Sequence, residues 1–499
     1  MTQRFAPYRV IDARNHDPLI VIPKQYSGFT AASRASRAAR AARPKGGAAP
    51  GGSGIPAALG EEFAALARRH GVCGAQLAVH HAGTTAAFEF GELEHGGGRP
   101  VTRDAAVPIG SVTKAFTATL AMILVADGDL DLDEPLGEHL PELGALGDEL
   151  SVRHLLSHTG GFASGPDSTE LSSGSLRRYV ADHCHHGNLV LPPGAGFSYS
   201  NMGYILAGRL IEVITGMSWA EAMESILLRP LGVTPAFTDP VTAGPPARPV
   251  ATGHSVNLAR GRTTPVRQSL AVAEAPAGSL AASAMDLVAL GRLHLPPGLP
   301  AVLPADHAEL MRRPAPAADP FGLADAWGLG LALFRGAGTG WAGHDGNADG
   351  TACYLRVDPA AGWAVALTAN TNTGIGLWQD LVAWMAAAGI PFATAPAAES
   401  ATGAQAGPPP DCAGTYVNGD SEYVVTESAG RASLAVDGEE YVMLAGPDGL
   451  TFSLLDPTSG QRLPGGRFQR DPASGEIRGM QVNGRLASRH AAVGAAARR

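Results

Sequence analysis

The sequence predicts two folded parts: an α/β (α+β) domain with one antiparallel sheet flanked by helices, and a small β domain after it. Two observations predict the first part. Strand patterns stand near both ends of a long middle block, and helix patterns fill the space between them, so that strands from both ends can share one helix-covered sheet. The second part is predicted because the C-terminal block contains short alternating strands behind an Ala/Pro/Gly-rich run.

Compositional breaks divide the 499 residues into four predicted segments. These are a basic Ala/Arg-rich arm (1–55), the block that carries the chemistry (56–394), a linker (395–410) and the β domain (411–499). In the arm, arginine recurs at every third position, at Arg34, Arg37, Arg40 and Arg43. A flexible or loosely helical arm explains this biased composition, and docking to an acidic partner or an organellar transit peptide are the alternatives.

Composition argues against several classes of protein. A net charge of −9 gives no reason to expect nucleic acid as a partner. No stretch reaches the roughly 18 to 20 apolar residues of a membrane span, and Met1–Asn15 lacks the apolar core of a secretory signal. We therefore expect no membrane partner and a cytoplasmic location. The four cysteines are far apart, and the histidines around Cys184 are interpreted as a solvated loop, so we expect no metal and no cofactor.

The middle block begins with alternating helix and strand patterns. The predicted elements are helices over Glu61–His70, Ser111–Asp127 and Met202–Thr215, and strands over Ala75–His80 and Thr85–Phe90. Apolar residues at helical spacing identify the Ser111–Asp127 helix as buried, and Gly128 is placed to end it. Ser111 thus falls at the beginning of a buried helix.

Strand patterns return at the end of this block and continue beyond the linker. Three strands are predicted over Gly328–Phe334, Ala352–Val357 and Trp363–Ala369, with a turn joining the last two. The C-terminal block repeats the pattern over Thr415–Val417, Tyr423–Val425, Tyr441–Leu444 and Thr451–Leu455. Such spacing is typical of a small β-sandwich or barrel.

Lys114 is one of only three lysines in the chain, three residues after Ser111 in Gly110-Ser111-Val112-Thr113-Lys114. Arginine appears throughout the sequence, and only lysine can lose its proton near neutral pH. At positions i and i+3 of one helix the hydroxyl and the amine lie on the same face. Lys114 is therefore a candidate base with Ser111 as its nucleophile, whereas a helix cap followed by a surface lysine is the structural alternative.

A second candidate motif, Tyr199-Ser200-Asn201, directly precedes the predicted Met202–Thr215 helix. A phenol near an amine can relay a proton, and an amide can hold a substrate carbonyl. The structural alternative is that Asn201 caps the helix and Tyr199 is a packed aromatic residue.

A third candidate motif, His344-Asp345-Gly346-Asn347, is predicted as a glycine-rich turn that leads into the strand around Cys353. Gly346 would let a substrate backbone approach closely, and the N–H of Asn347 can point at an oxyanion. A histidine in a tight turn is common, so this motif alone is uninformative.

Together and in this order, S-x-x-K, Y-S-N and H-x-G, the chain resembles the serine penicillin-recognising enzymes, above all the class C β-lactamase and D,D-peptidase branch. Leu155–Gly161 and Pro276–Leu280 fit the same pattern, and the resemblance covers about residues 57 to 390. Within this superfamily the sequence is most similar to the penicillin-binding-protein-type thioesterases, the surugamide-cyclase-like stand-alone peptide cyclases. The resemblance implies a β-lactamase-like catalytic domain and a lipocalin-like β domain, and the basic arm departs from it.

The resemblance also implies roles for the candidate residues. Ser111 would attack the carbonyl of a peptidyl thioester, and Lys114 would take the serine proton. Tyr199 and His344 would complete the relay to the leaving thiol. The backbone N–H groups of Ser111 and Asn347 would form the oxyanion hole, beside Gly346.

The implied substrate is a peptide on the pantetheine arm of a carrier protein of a nonribosomal peptide synthetase, with a D-residue or glycine at the acyl position. Asn201 would orient this acyl chain, and attack by the peptide's own amine would release a head-to-tail lactam. Two alternatives remain. A hydrolytic β-lactamase-family esterase, D-stereospecific peptidase or D,D-carboxypeptidase would share the three motifs, and a non-enzymatic binding protein would use the scaffold alone.

Overall fold

The computed structural model describes residues 54–490, apart from 167, 169–170, 172–173, 239–246, 336–339, 393–406, 429, 437–438 and 456–461. Most of the predicted arm (1–55) and of the predicted linker (395–410) lies outside these residues. Within the described part, one helical stretch, Gly110–Asp127, is long and apolar enough to cross a membrane, and 78% of it is buried inside the protein. This burial is that of a core helix.

The larger part is built around one antiparallel sheet. The described strands of this larger part are β1 (Gly74–His81), β2 (Thr84–Gly91), β3 (Val107–Pro108), β4 (Gly253–Asn257), β5 (Arg262–Val266), β6 (Ala281–Ala282), β7 (Ala326–Trp327), β8 (Ala332–Arg335), β9 (Gly340–Gly346), β10 (Ala352–Asp358) and β11 (Trp363–Ala369). Seven of them form a sheet in the order β2-β1-β11-β10-β9-β8-β7. Because β1 pairs with β11, the prediction of one antiparallel sheet made from both ends of the block is confirmed.

Helices cover both faces of this sheet. The α-helices of the described residues are α1 (Leu59–Arg69), α2 (Thr113–Asp127), α3 (Val152–Leu156), α4 (Leu176–His183), α5 (Asn201–Thr215), α6 (Trp219–Ala222), α7 (Ala275–Gly278), α8 (Ala284–Gly291), α9 (Ala305–Met311) and α10 (Gly374–Ala387). Helices α1 and α10 pack on one face, around a cluster that includes Phe63 and Trp378. The larger cluster on the other face contains α2 and α5.

Helix α2 lies at the centre of the larger cluster. Its residues from Thr113 to Leu124 are all buried, because apolar side chains occur on every face of the helix rather than on one stripe. Gly128 ends the helix in the left-handed conformation at φ 82°, where a side chain would be strained. The predicted end of this helix is therefore observed.

The smaller part is a closed eight-stranded antiparallel barrel. Its strands are β12 (Gly414–Asn418), β13 (Ser421–Ser428), β14 (Arg431–Val436), β15 (Glu439–Ala445), β16 (Thr451–Leu455), β17 (Arg462–Arg470), β18 (Ile477–Val482) and β19 (Arg485–Arg489). Tyr416 and Tyr423 are fully buried inside it, since alternate residues of each strand face inward. This barrel fits the small lipocalin-like domain that the sequence predicts.

Two predicted details are wrong. The single strand predicted over Gly328–Phe334 is a hairpin of β7 and β8, because Gly330 turns the chain at φ 81°. A Cβ at this glycine would lie 2.2 Å from the Cβ of Ala118, so the turn also needs a glycine to pack against α2. The segment His344–Gly346 is the end of strand β9 rather than a turn.

The barrel contacts the larger part through the turn between β18 and β19. Asn483 and Gly484 in this turn have φ values of 47° and 72°, the conformation of an Asn-Gly hairpin turn. The Gly484 carbonyl accepts a hydrogen bond of 2.9 Å from the Tyr199 N–H. Nearby, the Asn418 side chain accepts one of 2.8 Å from the Ser164 N–H.

Candidate active site

Ser111 and Lys114 are brought together at the beginning of α2. Ser111 lies in a 3₁₀ turn, Gly110–Val112, that runs directly into the helix. The Lys114 amine is 3.1 Å from the Ser111 hydroxyl oxygen and donates a hydrogen bond of 2.9 Å to the Ala277 carbonyl. One helical turn thus places a primary amine beside a hydroxyl, the arrangement that base-assisted nucleophilic catalysis requires.

Lys114 is completely buried, and this controls its charge. The pKa of the amine falls from 10.5 to about 7, mainly because of burial and in smaller part because of the Arg485 guanidinium, while the Glu274 carboxylate acts in the opposite direction. Because an ammonium ion loses its hydration in such a position, a large fraction of Lys114 is the neutral base near pH 7.

Tyr199 lies on the other side of the nucleophile. A hydrogen bond joins its hydroxyl to Ser111, and burial raises the pKa of the phenol to about 12. The Lys114 nitrogen is 5.2 Å from the centre of the tyrosine ring. His158 packs against this ring at 4.3 Å between ring centres and accepts a hydrogen bond of 3.2 Å from the Ser200 N–H, which holds the Tyr199 segment in place.

His344 is a buried, neutral imidazole at the end of β9. Burial, followed by the nearby Lys114, lowers its pKa to about 3. Its Nδ1 lies 2.6 Å from the Asp345 carbonyl oxygen, which can only accept, so the proton must be on Nδ1 and the lone pair on Nε2. The Tyr199 and His344 ring centres are 6.3 Å apart, so a proton relay between them needs a substrate group in the space between the rings.

The end of β9 packs directly against the Ser111 turn. A Cβ on Gly346 would lie 2.1 Å from the Ile109 carbonyl oxygen, and one on Gly110 would lie 2.1 Å from the Asn347 carbonyl oxygen. Two glycines therefore allow the backbone of Asn347 to lie beside that of Ser111. Backbone N–H groups held this close can stabilise one developing oxyanion.

These residues surround one cavity of about 370 Å³. Its lining includes six of the seven predicted site residues, Ser111, Tyr199, Asn201, His344, Gly346 and Asn347. Lys114, the seventh, is buried behind Ser111. The structure thus brings together all seven residues that the three sequence motifs single out.

The chain is similar to proteins of one known family. A family profile described as "Beta-lactamase" matches residues 59–389. The chain belongs to the β-lactamase family. Penicillin-binding protein 4 of Amycolatopsis lactamdurans is 36% identical over 356 residues, which cover 68% of this chain and 92% of that protein.

Solved structures locate the chain more closely within this family. The crystal structure of SurE is 41% identical, with a TM-score of 0.78, and the match covers 87% of this chain and 98% of SurE. A structure of SurE with D-Leu is 40% identical with a TM-score of 0.76 and covers 87% of this chain and 99% of SurE. The predicted resemblance to the penicillin-binding-protein-type thioesterases is confirmed. The D-amino acid amidase of Ochrobactrum anthropi SV3, complexed with D-phenylalanine, is more distant at 26% identity, a TM-score of 0.55 and 62% and 91% coverage.

Sequence reasoning missed two charged residues of this β-lactamase-family cavity. Glu274 is buried, lines the cavity and accepts hydrogen bonds from the Ser168 hydroxyl and the Asn201 side chain. Burial raises the pKa of its carboxyl group. Arg485 extends from β19 of the barrel, donates a hydrogen bond of 2.9 Å to the Ser164 hydroxyl and lies 5.2 Å from the centre of the Tyr199 ring.

No local pattern identifies either residue, because each reaches the cavity through the tertiary fold. The nearest signal is the Asn483-Gly484 pair directly before Arg485, which predicts a tight hairpin turn. That turn predicts how the strand bends but not which surface it approaches.

Proposed function

We propose that this protein is a peptide cyclase that receives a peptidyl thioester on Ser111 and releases it as a head-to-tail lactam. The observation that carries the proposal is the buried Lys114 amine, with a pKa of about 7, at 3.1 Å from the Ser111 hydroxyl. A base that is half neutral at working pH can accept the serine proton during attack. The similarity to SurE, which covers 87% of this chain, supports the peptide cyclase class.

In the proposed acylation step, the Ser111 oxygen bonds to the thioester carbonyl carbon and its proton passes to Lys114. The N–H groups of Ser111 and Asn347 stabilise the oxyanion, and one such donor typically contributes about 3 to 4 kcal/mol. The carbon–sulfur bond then breaks, and the proton held by Lys114 passes through the Tyr199 hydroxyl to the leaving thiolate, while the Nε2 lone pair of His344 accepts a hydrogen bond within this relay. The products are a neutral thiol and a peptidyl ester on Ser111.

In the proposed release step, the peptide's own terminal amine attacks this ester. A nitrogen–carbon bond forms, the bond from the carbonyl carbon to the Ser111 oxygen breaks, and the amine proton returns to that oxygen through Lys114. The Asn201 side chain, fixed by its hydrogen bond to Glu274, orients the acyl chain. The structure of SurE with D-Leu and the similarity to a D-amino acid amidase support a D-residue at the acyl position, and glycine remains part of the proposal.

The proposed donor is a pantetheine-linked peptide on a carrier protein of a nonribosomal peptide synthetase, which implies a cytoplasmic location. Hydrolysis is the second candidate, because a D-amino acid amidase shares the fold and water could replace the amine. The product decides between them, since cyclisation gives a lactam and hydrolysis gives a linear acid.

A single experiment tests the proposal. The protein is mixed with the N-acetylcysteamine thioester of a peptide that ends in a D-residue, and intact-protein mass spectrometry follows the acyl adduct while chromatography with mass detection follows the product. We expect an adduct on Ser111, its loss in Ser111→Ala, and a product lighter than the linear acid by one water. An absent adduct contradicts acyl transfer, and a linear acid alone contradicts cyclisation.

A further inference from the structure

A two-stranded hairpin of β4 and β5 connects the cavity to the surface. At its base, the Gln268 side chain donates a hydrogen bond of 2.7 Å to the Asp349 carbonyl, and the Ser269 N–H donates one of 2.8 Å to the Asp349 carboxylate. Gln268, Ser269 and Asp349 all line the cavity. The hairpin therefore begins at the rim of the space in which Ser111 reacts.

The tip of this hairpin exposes an apolar side chain. Leu258 is 55% exposed, more than any other large hydrophobic side chain in the described part of the chain. It lies against the end of α1, since a Cβ on Gly71 would be 2.6 Å from its Cδ2. A single exposed apolar side chain is common at protein surfaces, so the charged residues of the hairpin decide whether its tip can dock a partner.

Arginines follow this leucine along the hairpin. Arg260, Arg262 and Arg267 are exposed along the hairpin and its base, and we call them, together with Leu258, the basic hairpin face. Arg68 and Arg69 in the last turn of α1 are also exposed nearby.

Two carboxylates adjoin this region. Asp380 contacts Arg69 at 3.6 Å and His70 at 2.9 Å, and Glu94 accepts a hydrogen bond of 3.2 Å from Thr252, directly before the hairpin. In a chain with a net charge of −9, the hairpin itself has three arginines and no acidic residue between positions 253 and 267. This local positive charge favours an acidic partner.

We propose that the basic hairpin face docks the acidic surface of the carrier protein that presents the thioester. The inference rests on the proposed function and adds the place at which its partner binds. Arg262 is six residues from Gln268, about 20 Å along an extended strand, so a partner at the tip needs a long flexible arm to reach the cavity. A pantetheine arm is such a connector, and the phosphodiester at its base is an anion that arginine recognises well.

The chain's own arm is a poor alternative occupant. The run from Ala31 to Ala49 contains four arginines, one lysine and no acidic residue, so its charge has the same sign as the hairpin. A negatively charged membrane would satisfy the arginines equally well, but it supplies no thioester arm. The test must therefore distinguish binding to a carrier protein from binding to anionic vesicles.

The test compares two substrates with the same peptide, one on a carrier protein and one as the N-acetylcysteamine thioester. Arg260→Glu/Arg262→Glu reverses two exposed charges on the hairpin. Arg431→Glu/Arg478→Glu, on exposed positions of the barrel strands β14 and β18, makes the same change in net charge elsewhere. For the hairpin variant we expect kcat/KM with the carrier substrate to fall about tenfold or more, and to change less than about twofold with the small thioester. The barrel variant should match the parent with both substrates.

Raising the salt concentration should lower kcat/KM of the parent with the carrier substrate and leave the hairpin variant nearly unaffected, because salt screens exposed charges. Equal activity of parent and hairpin variant on the carrier substrate overturns the proposal, as does an equal loss with both substrates. Vesicles of phosphatidylserine that sediment the parent but not the hairpin variant also overturn it in favour of a membrane. Failure of the parent to use the small thioester is a separate result, since it contradicts the proposed function itself.

Discussion

Replacing Lys114 by arginine keeps a positive group at the base position and removes its ability to become neutral. The guanidinium pKa is above 12, so an arginine at this position could accept no proton from Ser111 at any pH at which the protein is folded. We expect the rate of acylation in Lys114→Arg to fall at least about a thousandfold, the size typical of a nucleophile–base unit. Lys114→Met is the companion variant, because it fills the same buried space without any charge.

The size of the effect follows from the environment of the amine. A lysine with the ordinary pKa of 10.5 would be neutral in about 3 of 10,000 molecules at pH 7, whereas a pKa of about 7 makes about half of them neutral. That difference corresponds to about 5 kcal/mol. Burial is the main cause, so the fold itself supplies most of the activation of the base.

The assay is the pH dependence of acylation. In the parent, kcat/KM should rise with pH through a midpoint near 7 as Lys114 loses its proton. His344 cannot cause this limb, because its pKa of about 3 leaves it neutral throughout. A near-normal acylation rate in folded Lys114→Arg, or a profile without a limb near pH 7, would refute the role of Lys114 as the base.

The same shift makes a prediction about stability. The folded-state pKa of about 7 is below the unfolded value, so the unfolded chain binds more protons between pH 7 and 10.5, and stability rises with pH there. The destabilisation is complete below pH 7 and disappears as the pH approaches 10.5. Relative to Lys114→Met, the free energy of unfolding of the parent should increase by about 3.5 kcal/mol from pH 7 to pH 10, measured by urea unfolding. A constant difference would mean that the buried amine has an ordinary pKa.

Four further substitutions test neighbouring groups. Tyr199→Phe removes a hydroxyl bonded to Ser111, and kcat for thioester turnover should fall about a hundredfold or more while the protein stays folded; an unchanged kcat excludes the phenol from the relay. Arg485→Gln removes a cation that lowers the pKa of Lys114, and Glu274→Gln removes an anion that raises it. The rise of kcat/KM near pH 7 should therefore move to higher pH in Arg485→Gln and to lower pH in Glu274→Gln. A shift in the same direction in both variants contradicts this electrostatic explanation. Gly110→Ala adds a Cβ at φ 50° and 2.1 Å from the Asn347 carbonyl oxygen, so the backbone must shift, and the melting temperature and the acylation rate should both fall. A parent-like acylation rate would mean that the oxyanion donors tolerate this shift.

The local parts of the site could be predicted from the sequence. The spacing of Ser111 and Lys114 fixes their proximity once a helix forms, and the apolar residues that follow require that helix to be buried. The core strands β10 and β11 could also be predicted, since short apolar runs bounded by turn residues are typical of buried strands. In each case the information lies within one turn or one strand.

The remaining features depend on contacts between distant parts of the chain. The strand predicted over Gly328–Phe334 was wrong because the chain turns at Gly330, where α2 packs against it. The local sequence pattern gives no information about this contact with α2. Glu274 precedes an ordinary short helix, and only its position under Asn201 makes it part of the site. Propensity and periodicity describe single elements, so they cannot predict which charged side chain a tertiary contact will bury.

The barrel is part of the reactive unit and not an addition to it. Its β18–β19 turn holds the backbone of Tyr199 through the Gly484 carbonyl, and the next residue, Arg485, is a cation that lowers the pKa of Lys114. Any helix brings a serine and a lysine three residues apart close together, but the amine becomes neutral near pH 7 only where its environment disfavours the charged form, here mainly through burial and in addition through a neighbouring positive charge. The larger part supplies most of the burial, and the barrel supplies the charge. The basicity of Lys114 therefore depends in part on how the barrel meets the larger part.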